Sequence, residues 1–170
     1  MIKKLISEKE INSKIKELSN TLYQEYKDEE VVFICTLKGA VFFTCELLKH
    51  YKGDARLEFL RVSSYSGEKS SGKVELNLSI SEKNIKDKNV IILEDIVDTG
   101  HTLKFLKGYI NDMSPKTLKI VTLLDKKERR EVSIDADYSC FVIDDLFVVG
   151  YGLDYDQKYR NLPYIGVIQK

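Results

Sequence analysis

Two segments of the chain, VVFICTL at 31–37 and NVIILED at 89–95, each contain at least four consecutive apolar residues. A strand that is apolar on both faces must be covered on both faces, as happens in parallel sheets lying between layers of helices. Segments with the apolar spacing of helices separate these and other strand-like segments. This alternation predicts an α/β fold in which a mostly parallel, twisted sheet is flanked by helices.

Local signals predict the remaining elements. Ser7 and Glu10 have the spacing of a capping box and precede apolar residues at helical spacing, which indicates a first helix. Further helices are predicted at 40–51 and 101–112, and further strands at 56–62, 74–80, 117–124 and 139–144. The segment SSYSGEKSSGK at 63–73 is polar and rich in serine and glycine, which predicts a loop. The length of 170 residues favours one domain covering 1–170.

The charge balance and hydropathy exclude two classes of partner. The chain has 27 Lys and Arg residues and 27 Asp and Glu residues, so its formal net charge is zero. There is no general electrostatic attraction to nucleic acid or to anionic lipid. No apolar run approaches the roughly 18 residues of a membrane-spanning helix. The sequence therefore predicts no nucleic-acid partner and no membrane partner.

The cysteines and the first residues bear on the cellular compartment. Cys35, Cys45 and Cys140 are odd in number, form no CxxC pair and lie in apolar contexts, which predicts buried, reduced thiols. The opening MIKKLISEKEIN has early lysines but no apolar core of a secretory signal. A cytoplasmic location is predicted.

An acidic cluster lies where the most apolar strand ends and a helix begins. Glu94 and Asp95 end the strand, Asp98 follows, and a Thr-Gly-His-Thr turn at 99–102 leads into the helix. In parallel sheets ligands bind beyond the carboxyl ends of strands, and free N–H groups at a helix start bind anions. Carboxylates suit the oxygen coordination of Mg²⁺. The simpler alternative is that Asp98 or Thr99 caps the helix and the other acids are solvated.

The motif VIILEDIVDTGHT resembles the phosphoribosyl-pyrophosphate signature of type I phosphoribosyltransferases. The C-terminal segment at 144–168 is similar to that of the hypoxanthine-guanine phosphoribosyltransferases, as are TLKGAVFF at 36–43 and the Ser64-Tyr65 pair. This resemblance implies a Mg²⁺-dependent enzyme that joins a 6-oxopurine to phosphoribosyl pyrophosphate, giving IMP or GMP and pyrophosphate. It also implies a homodimer or homotetramer and a small hood over the site, formed largely by residues 145–170.

The resemblance also assigns roles to individual residues. Asp98 matches the proposed general base at purine N7. The carboxylates assigned to the ribose and the Mg²⁺ shell are Glu94, Asp95 and Asp154. The loop for the 5′-phosphate comprises Asp98, Thr99, Gly100, His101 and Thr102, with histidine where some relatives have lysine. Pyrophosphate contacts are assigned to Lys38, Gly39 and Arg160, and purine contacts to Lys126, Phe147, Val148 and Asp154. Ser64 and Tyr65 match the start of a mobile loop at 63–73 that would close over the site.

Several alternatives stay open from the sequence. Asp98 could only position the phosphate loop, and Lys126 lies in the charge run DKKERR, which by default is a solvated loop. A regulator of the same fold that binds phosphoribosyl pyrophosphate or a nucleotide is another possibility, as is a transferase for a different nucleobase. The sequence does not rank hypoxanthine, guanine and xanthine.

Overall fold

The computed structural model describes residues 1–64 and 74–169. Its helices are α1 (Glu8–Tyr26), α2 (Val41–His50) and α3 (His101–Asn111). Its strands are β1 (Ile2–Ile6), β2 (Val31–Leu37), β3 (Ala55–Ser64), β4 (Val74–Leu78), β5 (Asn89–Val97), β6 (Thr117–Asp125), β7 (Tyr138–Val142), β8 (Val148–Val149) and β9 (Ile165–Ile168). Short 3₁₀ turns cover Glu82–Asn84 and Lys127–Arg129.

The main sheet has six strands in the order β4-β3-β2-β5-β6-β7. All its neighbouring pairs are parallel except β3 and β4, which pair antiparallel at one edge. The two most apolar segments, β2 and β5, lie side by side in the centre, and Val31 to Cys35 pairs with Asn89 to Leu93. The predicted α/β fold with a mostly parallel sheet is confirmed.

Alternate residues of the central strands enter two cores on opposite faces of the sheet. Phe33 and Ile91 pack with α1 and α2, whereas Ile34 and Ile92 pack with α3. The capping box predicted for α1 is present, because the Ser7 side chain accepts from the Glu10 N–H and the Glu10 carboxylate accepts from the Ser7 N–H. Because helices cover both faces of the sheet, the carboxyl ends of its strands are left accessible to a ligand.

A second, three-stranded antiparallel sheet has the order β1-β9-β8. It joins the two ends of the chain, since Ile2 pairs with Ile168 and Val148 pairs with Val167. The sequence predicted neither β1 nor β9. Strand β1 reads IKKLI, and three of its five residues are exposed. The assignment of a hood to residues 145–170 stays a prediction, and the structure adds β1 to the sheet formed by that segment.

Two local predictions need revision. Ser63 pairs with Glu75 at the end of β3, so the loop predicted at 63–73 starts later than expected. Residues 65–73, including Tyr65, and the side chain of Ser64 lie outside the described residues. Cys35 and Cys140 are buried as predicted, but Cys45 is exposed on α2, so the prediction of three buried thiols is wrong there.

None of the helices within 1–64 and 74–169 is long and apolar enough to span a membrane.

Candidate active site

A cavity of about 400 Å³ lies at the carboxyl ends of β2 and β5. Residues of the C-terminal segment and residues around the start of α3 complete its wall. Of the residues singled out in the sequence, the structure brings together here Lys38, Gly39, Glu94, Asp95, Asp98, Thr99, Gly100, Thr102, Asp154 and Arg160. His101, Lys126, Phe147 and Val148 do not line this cavity.

Glu94 is a buried carboxylate at the floor of the cavity. The Thr36 hydroxyl lies 2.8 Å from Glu94 Oε2, whereas Glu94 Oε1 is buried and has no hydrogen-bond partner among the described residues. Burial and the adjacent charge of Asp95 raise the pKa of Glu94. A buried carboxylate oxygen without a partner costs free energy, so a ligand group or cation at this point would stabilise it.

Asp95 lies against the turn that follows β2. Its Oδ1 accepts a hydrogen bond of 2.9 Å from the Ile96 N–H, and burial raises the pKa of its carboxyl group. A Cβ atom on Gly39 would lie 1.7 Å from Asp95 Oδ2, so only glycine leaves room for this carboxylate. The Leu37–Lys38 peptide bond in the same turn is cis.

The C-terminal segment supplies Arg160, which lines the cavity together with Lys38 from the turn after β2. Arg160 lies 2.8 Å from Asp154 Oδ1 through its Nη2 and donates to the Gly152 carbonyl at 2.6 Å through its Nη1. The Gln157 side-chain oxygen accepts from Lys38 Nζ at 3.0 Å and from Arg160 at 3.3 Å. Sequence reasoning missed Gln157, which lies in a loop without periodic pattern and contacts Lys38 across 119 positions of the chain.

Gly152 allows this segment to approach the turn after β2. Its φ is +99°, and a Cβ atom there would lie 2.0 Å from the Gly39 carbonyl oxygen. The two glycines are therefore in direct backbone contact, which holds Lys38 and Arg160 on the same cavity.

The turn at 98–102, named the cradle below, lies at the start of α3, where free N–H groups can bind an anion. Gly100 has a φ of +90° and caps the helix, and the first N–H groups of any helix lack intrahelical acceptors. The Thr102 side chain lies beside these groups on the cavity wall. The His101 ring instead lies 2.8 Å from Glu131 and is exposed, so His101 can serve the cradle only through its backbone.

A neighbouring segment braces the cradle. The Lys126 N–H donates to the Val97 carbonyl and the Glu131 N–H donates to the Thr99 carbonyl, each at 2.9 Å. The Arg130 guanidinium donates to the Asp98 carbonyl at 2.5 Å and pairs with buried Asp125. Sequence reasoning missed Arg130 and Asp125 because their charge run gave no sign of burial.

Asp98, which lines the cavity, lies next to Lys126, which does not. Lys126 is only 7% exposed although it starts a charge run, so the default interpretation of that run as solvated fails at this residue. Its Nζ lies 3.9 Å from Asp98 Oδ2. Phe147 is 54% exposed with its ring edge-on to Tyr155 at 5.5 Å, and Val148 is buried. An exposed aromatic ring can bind a planar ligand by stacking.

The acidic residues fit a hard cation held partly by its ligand. Within residues 1–64 and 74–169, no three acidic, histidine or cysteine side chains converge as a complete metal site. Mg²⁺ commonly uses only one or two carboxylates and takes its other ligands from water and substrate phosphates. The unpartnered Oε1 of Glu94 and the adjacent Asp95 match that requirement.

Comparisons with known proteins agree along nearly the whole chain. Residues 3–156 match the family described as phosphoribosyl transferase domain. The chain is 45% identical to the hypoxanthine-guanine phosphoribosyltransferase of Streptococcus thermophilus, over 99% of this chain and 94% of that protein. It is 48% identical to the protein of the same name from Lactococcus lactis, over 98% and 91%.

Solved structures give the same result. A hypoxanthine-guanine phosphoribosyltransferase from Bacillus anthracis superposes with a TM-score of 0.94 at 46% identity, over 99% of this chain and 100% of that chain. A hypoxanthine phosphoribosyltransferase from Staphylococcus aureus superposes with a TM-score of 0.92 at 40% identity, over 98% and 91%.

Proposed function

Because the chain belongs to the phosphoribosyl transferase family, we propose that it is a purine salvage enzyme that acts on hypoxanthine, guanine or both. The reaction transfers the 5-phosphoribosyl group of phosphoribosyl pyrophosphate to the base and gives IMP or GMP and pyrophosphate. The observation that carries this proposal is the joint placement of acids, an anion cradle and two cations around one cavity. We assign the base to Asp98 on the wall of this cavity and to Lys126, whose Nζ lies 3.9 Å from the Asp98 carboxylate.

Two ends of the cavity suit the two phosphate groups of the sugar substrate. The cradle at 98–102 binds the 5′-phosphate through backbone N–H groups, with Thr102 beside them. Lys38 and Arg160 bind the pyrophosphate and stabilise the negative charge that grows on it as its bond to C1′ breaks. The ribose then lies over Glu94 and Asp95, whose carboxylates favour the positive charge that develops on the sugar.

The chemistry at the base follows from the neighbouring pair. The Asp98 carboxylate accepts the proton from purine N7 as N9 attacks C1′, and the Lys126 ammonium donates to the 6-oxo oxygen. Phe147 stacks on the purine ring and the Val148 backbone contacts its edge. Glu94 and Asp95 would hold Mg²⁺, with Asp154 linked to it from the C-terminal segment, and the ion would supply further charge stabilisation to the pyrophosphate.

Assembly into a homodimer or homotetramer and a cytoplasmic location are also part of this proposal. Their support is the resemblance to the hypoxanthine-guanine phosphoribosyltransferases. Light scattering on the purified protein tests the first, and cell fractionation tests the second.

The direct test of the proposed function is product formation. We expect IMP and pyrophosphate from hypoxanthine, or GMP and pyrophosphate from guanine, when the purified protein is supplied with phosphoribosyl pyrophosphate and Mg²⁺. Chromatographic separation of nucleotides identifies the product for hypoxanthine, guanine, xanthine and adenine. Absence of product with both hypoxanthine and guanine would refute the enzyme assignment and favour a regulator that only binds nucleotide.

Gly39→Ala is expected to weaken binding of phosphoribosyl pyrophosphate by at least about tenfold. The new methyl group would lie 1.7 Å from Asp95 Oδ2, so the turn that carries Lys38 or the Asp95 carboxylate must move. Isothermal titration calorimetry with Mg²⁺ measures the change. Gly108→Ala is the matched control, because a Cβ atom there meets nothing within 4 Å. Equal affinity of the Gly39→Ala variant and the control would contradict the assigned role of this turn.

Phe147→Ala is expected to raise KM for hypoxanthine and guanine by similar factors of about 10 or more. Stacking contributes about 1–3 kcal/mol for a base on an aromatic ring and is available to every purine. The ring is 54% exposed, so its loss should leave the fold intact. Steady-state kinetics with both bases measures the effect. A variant with unchanged KM for both would show that Phe147 does not contact the base.

A further inference from the structure

Asp98 and Lys126 are connected by two residues that have no assigned role, Arg129 and Asp145. Arg129 Nε lies 3.0 Å from Asp98 Oδ1, and Arg129 Nη1 lies 3.4 Å from Asp145 Oδ2. Lys126 Nζ lies 3.6 Å from Asp145 Oδ1 and 3.9 Å from Asp98 Oδ2. The four side chains thus form a closed ring in which positive and negative charges alternate.

Each carboxylate in this ring uses its two oxygens for two different cations. Asp98 directs Oδ1 to Arg129 and leaves Oδ2 toward Lys126, and Asp145 does the reverse. This division fixes the rotation of both carboxylates, because turning either carboxylate would move its oxygens away from Arg129 and Lys126. It also leaves the Lys126–Asp98 side of the ring as the longest of the four.

The ring does not serve mainly to stabilise the fold. The side chains of Arg129, Asp98 and Asp145 are 45%, 40% and 50% exposed, and ion pairs between exposed groups contribute little to stability. The Lys126 side chain is the exception at 9% exposed, and a buried charge that loses its partner costs free energy. The ring therefore acts on the geometry of its members more than on the free energy of unfolding.

The spacing within the ring suits one edge of a purine. A 6-oxopurine presents O6 and N7 as neighbouring groups on the same edge, close enough for one forked side chain to reach both. Asp98 and Lys126 must therefore face this edge side by side without closing into a tight ion pair that would occupy both groups. Arg129 and Asp145 offer each of them a competing partner on the far side of the ring.

We propose that Arg129 and Asp145 are positioning residues that hold the base Asp98 and the purine-binding Lys126 apart at the spacing of the O6–N7 edge. This proposal rests on the proposed function. Arg129 acts through Asp98, and Asp145 acts through both Arg129 and Lys126. Neither residue touches the reacting atoms.

Arg129→Met and Asp145→Asn are the test variants. Each is expected to lower kcat for hypoxanthine by about tenfold, less than the hundredfold that a misplacement of about 1 Å can cause. KM for phosphoribosyl pyrophosphate should stay within about twofold of wild type, because neither substitution changes the backbone N–H groups of the cradle or the turn after β2 that carries Lys38. Lys127→Met and Asp144→Asn are matched controls, since each removes a charge of the same sign from an exposed residue one or two positions away. The controls should retain kcat within about twofold.

A double-mutant cycle separates positioning from an independent effect. In the Asp98→Asn background, Arg129→Met should cause no further loss, because Asp98 no longer acts as a base that needs positioning. A tenfold loss that recurs in this background would overturn the proposal, as would an Arg129→Met variant with kcat within twofold of wild type. If the wild type itself forms no IMP or GMP, the proposed function fails; an active wild type with independent effects overturns only the ring.

Discussion

Replacing Asp98 by asparagine is expected to lower kcat by about 10²–10⁴-fold, the range that general acid–base catalysis typically supplies. Asparagine has nearly the same shape but cannot accept the N7 proton as a carboxylate does. Binding of phosphoribosyl pyrophosphate should persist, because Arg130 holds the backbone carbonyl of this residue and the cradle consists of backbone N–H groups. Steady-state kinetics gives kcat, and calorimetry with Mg²⁺ gives the affinity.

The comparison with Asp98→Glu and Asp98→Ala refines this prediction. Glutamate keeps a base but displaces it by one methylene group, so it should retain more activity than asparagine. Alanine removes both the proton acceptor and one of the two acidic partners of Arg129. A full kcat in the asparagine variant would show that Asp98 only positions the phosphate loop, the alternative that the sequence left open.

Replacing Lys126 by alanine is expected to remove most of the discrimination between hypoxanthine and adenine. An ammonium donates a charge-assisted hydrogen bond to the 6-oxo group, whereas adenine presents an amino donor and leaves the buried lysine without that partner. Sites built around such a bond can reject the wrong group by about 10⁴–10⁵-fold. The variant should therefore have a lower kcat/KM for hypoxanthine, and the ratio of this value to its kcat/KM for adenine should fall.

Lys127→Ala is the control for this effect, because Lys127 is the adjacent residue and is exposed. It should leave both kcat/KM values close to those of the wild type. Phe147→Ala provides a second comparison, since loss of stacking should lower kcat/KM for all purines by similar factors. If Lys126→Ala and Lys127→Ala gave the same hypoxanthine-to-adenine ratio as wild type, Lys126 would not read position 6.

The central sheet could be predicted because its signals are local and strong. Strands β2 and β5 are apolar on both faces, and this pattern alone places them inside a parallel sheet. The acids of the site follow directly, since Glu94 and Asp95 belong to the same segment as the buried strand. The capping box of α1 and the bounds of α3, predicted at 101–112 and observed at His101–Asn111, were equally readable.

The small sheet could not be predicted in full, because its pairing joins opposite ends of the chain. Strand β1 carries two consecutive lysines and gains its place only from β9, more than 150 residues later. An edge strand of this kind has little periodicity of its own.

The base pocket shows a similar limit. The run DKKERR has the composition of a solvated loop. Its second residue, Lys126, is nevertheless buried, and its last residue, Arg130, donates a hydrogen bond to the Asp98 carbonyl in the turn at 98–102. Burial of Lys126 arises where the ends of β6 and β7 and the turn at 98–102 meet, which no local pattern encodes. The resemblance located this lysine, but Arg129, Arg130, Asp145 and Gln157 became visible only in three dimensions.

The most direct test of the 6-oxopurine assignment is the ratio of kcat/KM for hypoxanthine to kcat/KM for adenine on the wild-type protein. Both values are measured at the same concentrations of phosphoribosyl pyrophosphate and Mg²⁺ by the release of pyrophosphate. We expect a ratio of about 10⁴ or more, since the buried Lys126 ammonium meets an acceptor only in the 6-oxopurine. A ratio within about tenfold, equivalent to only about 1.4 kcal/mol, would contradict the account and return Lys126 to a structural role.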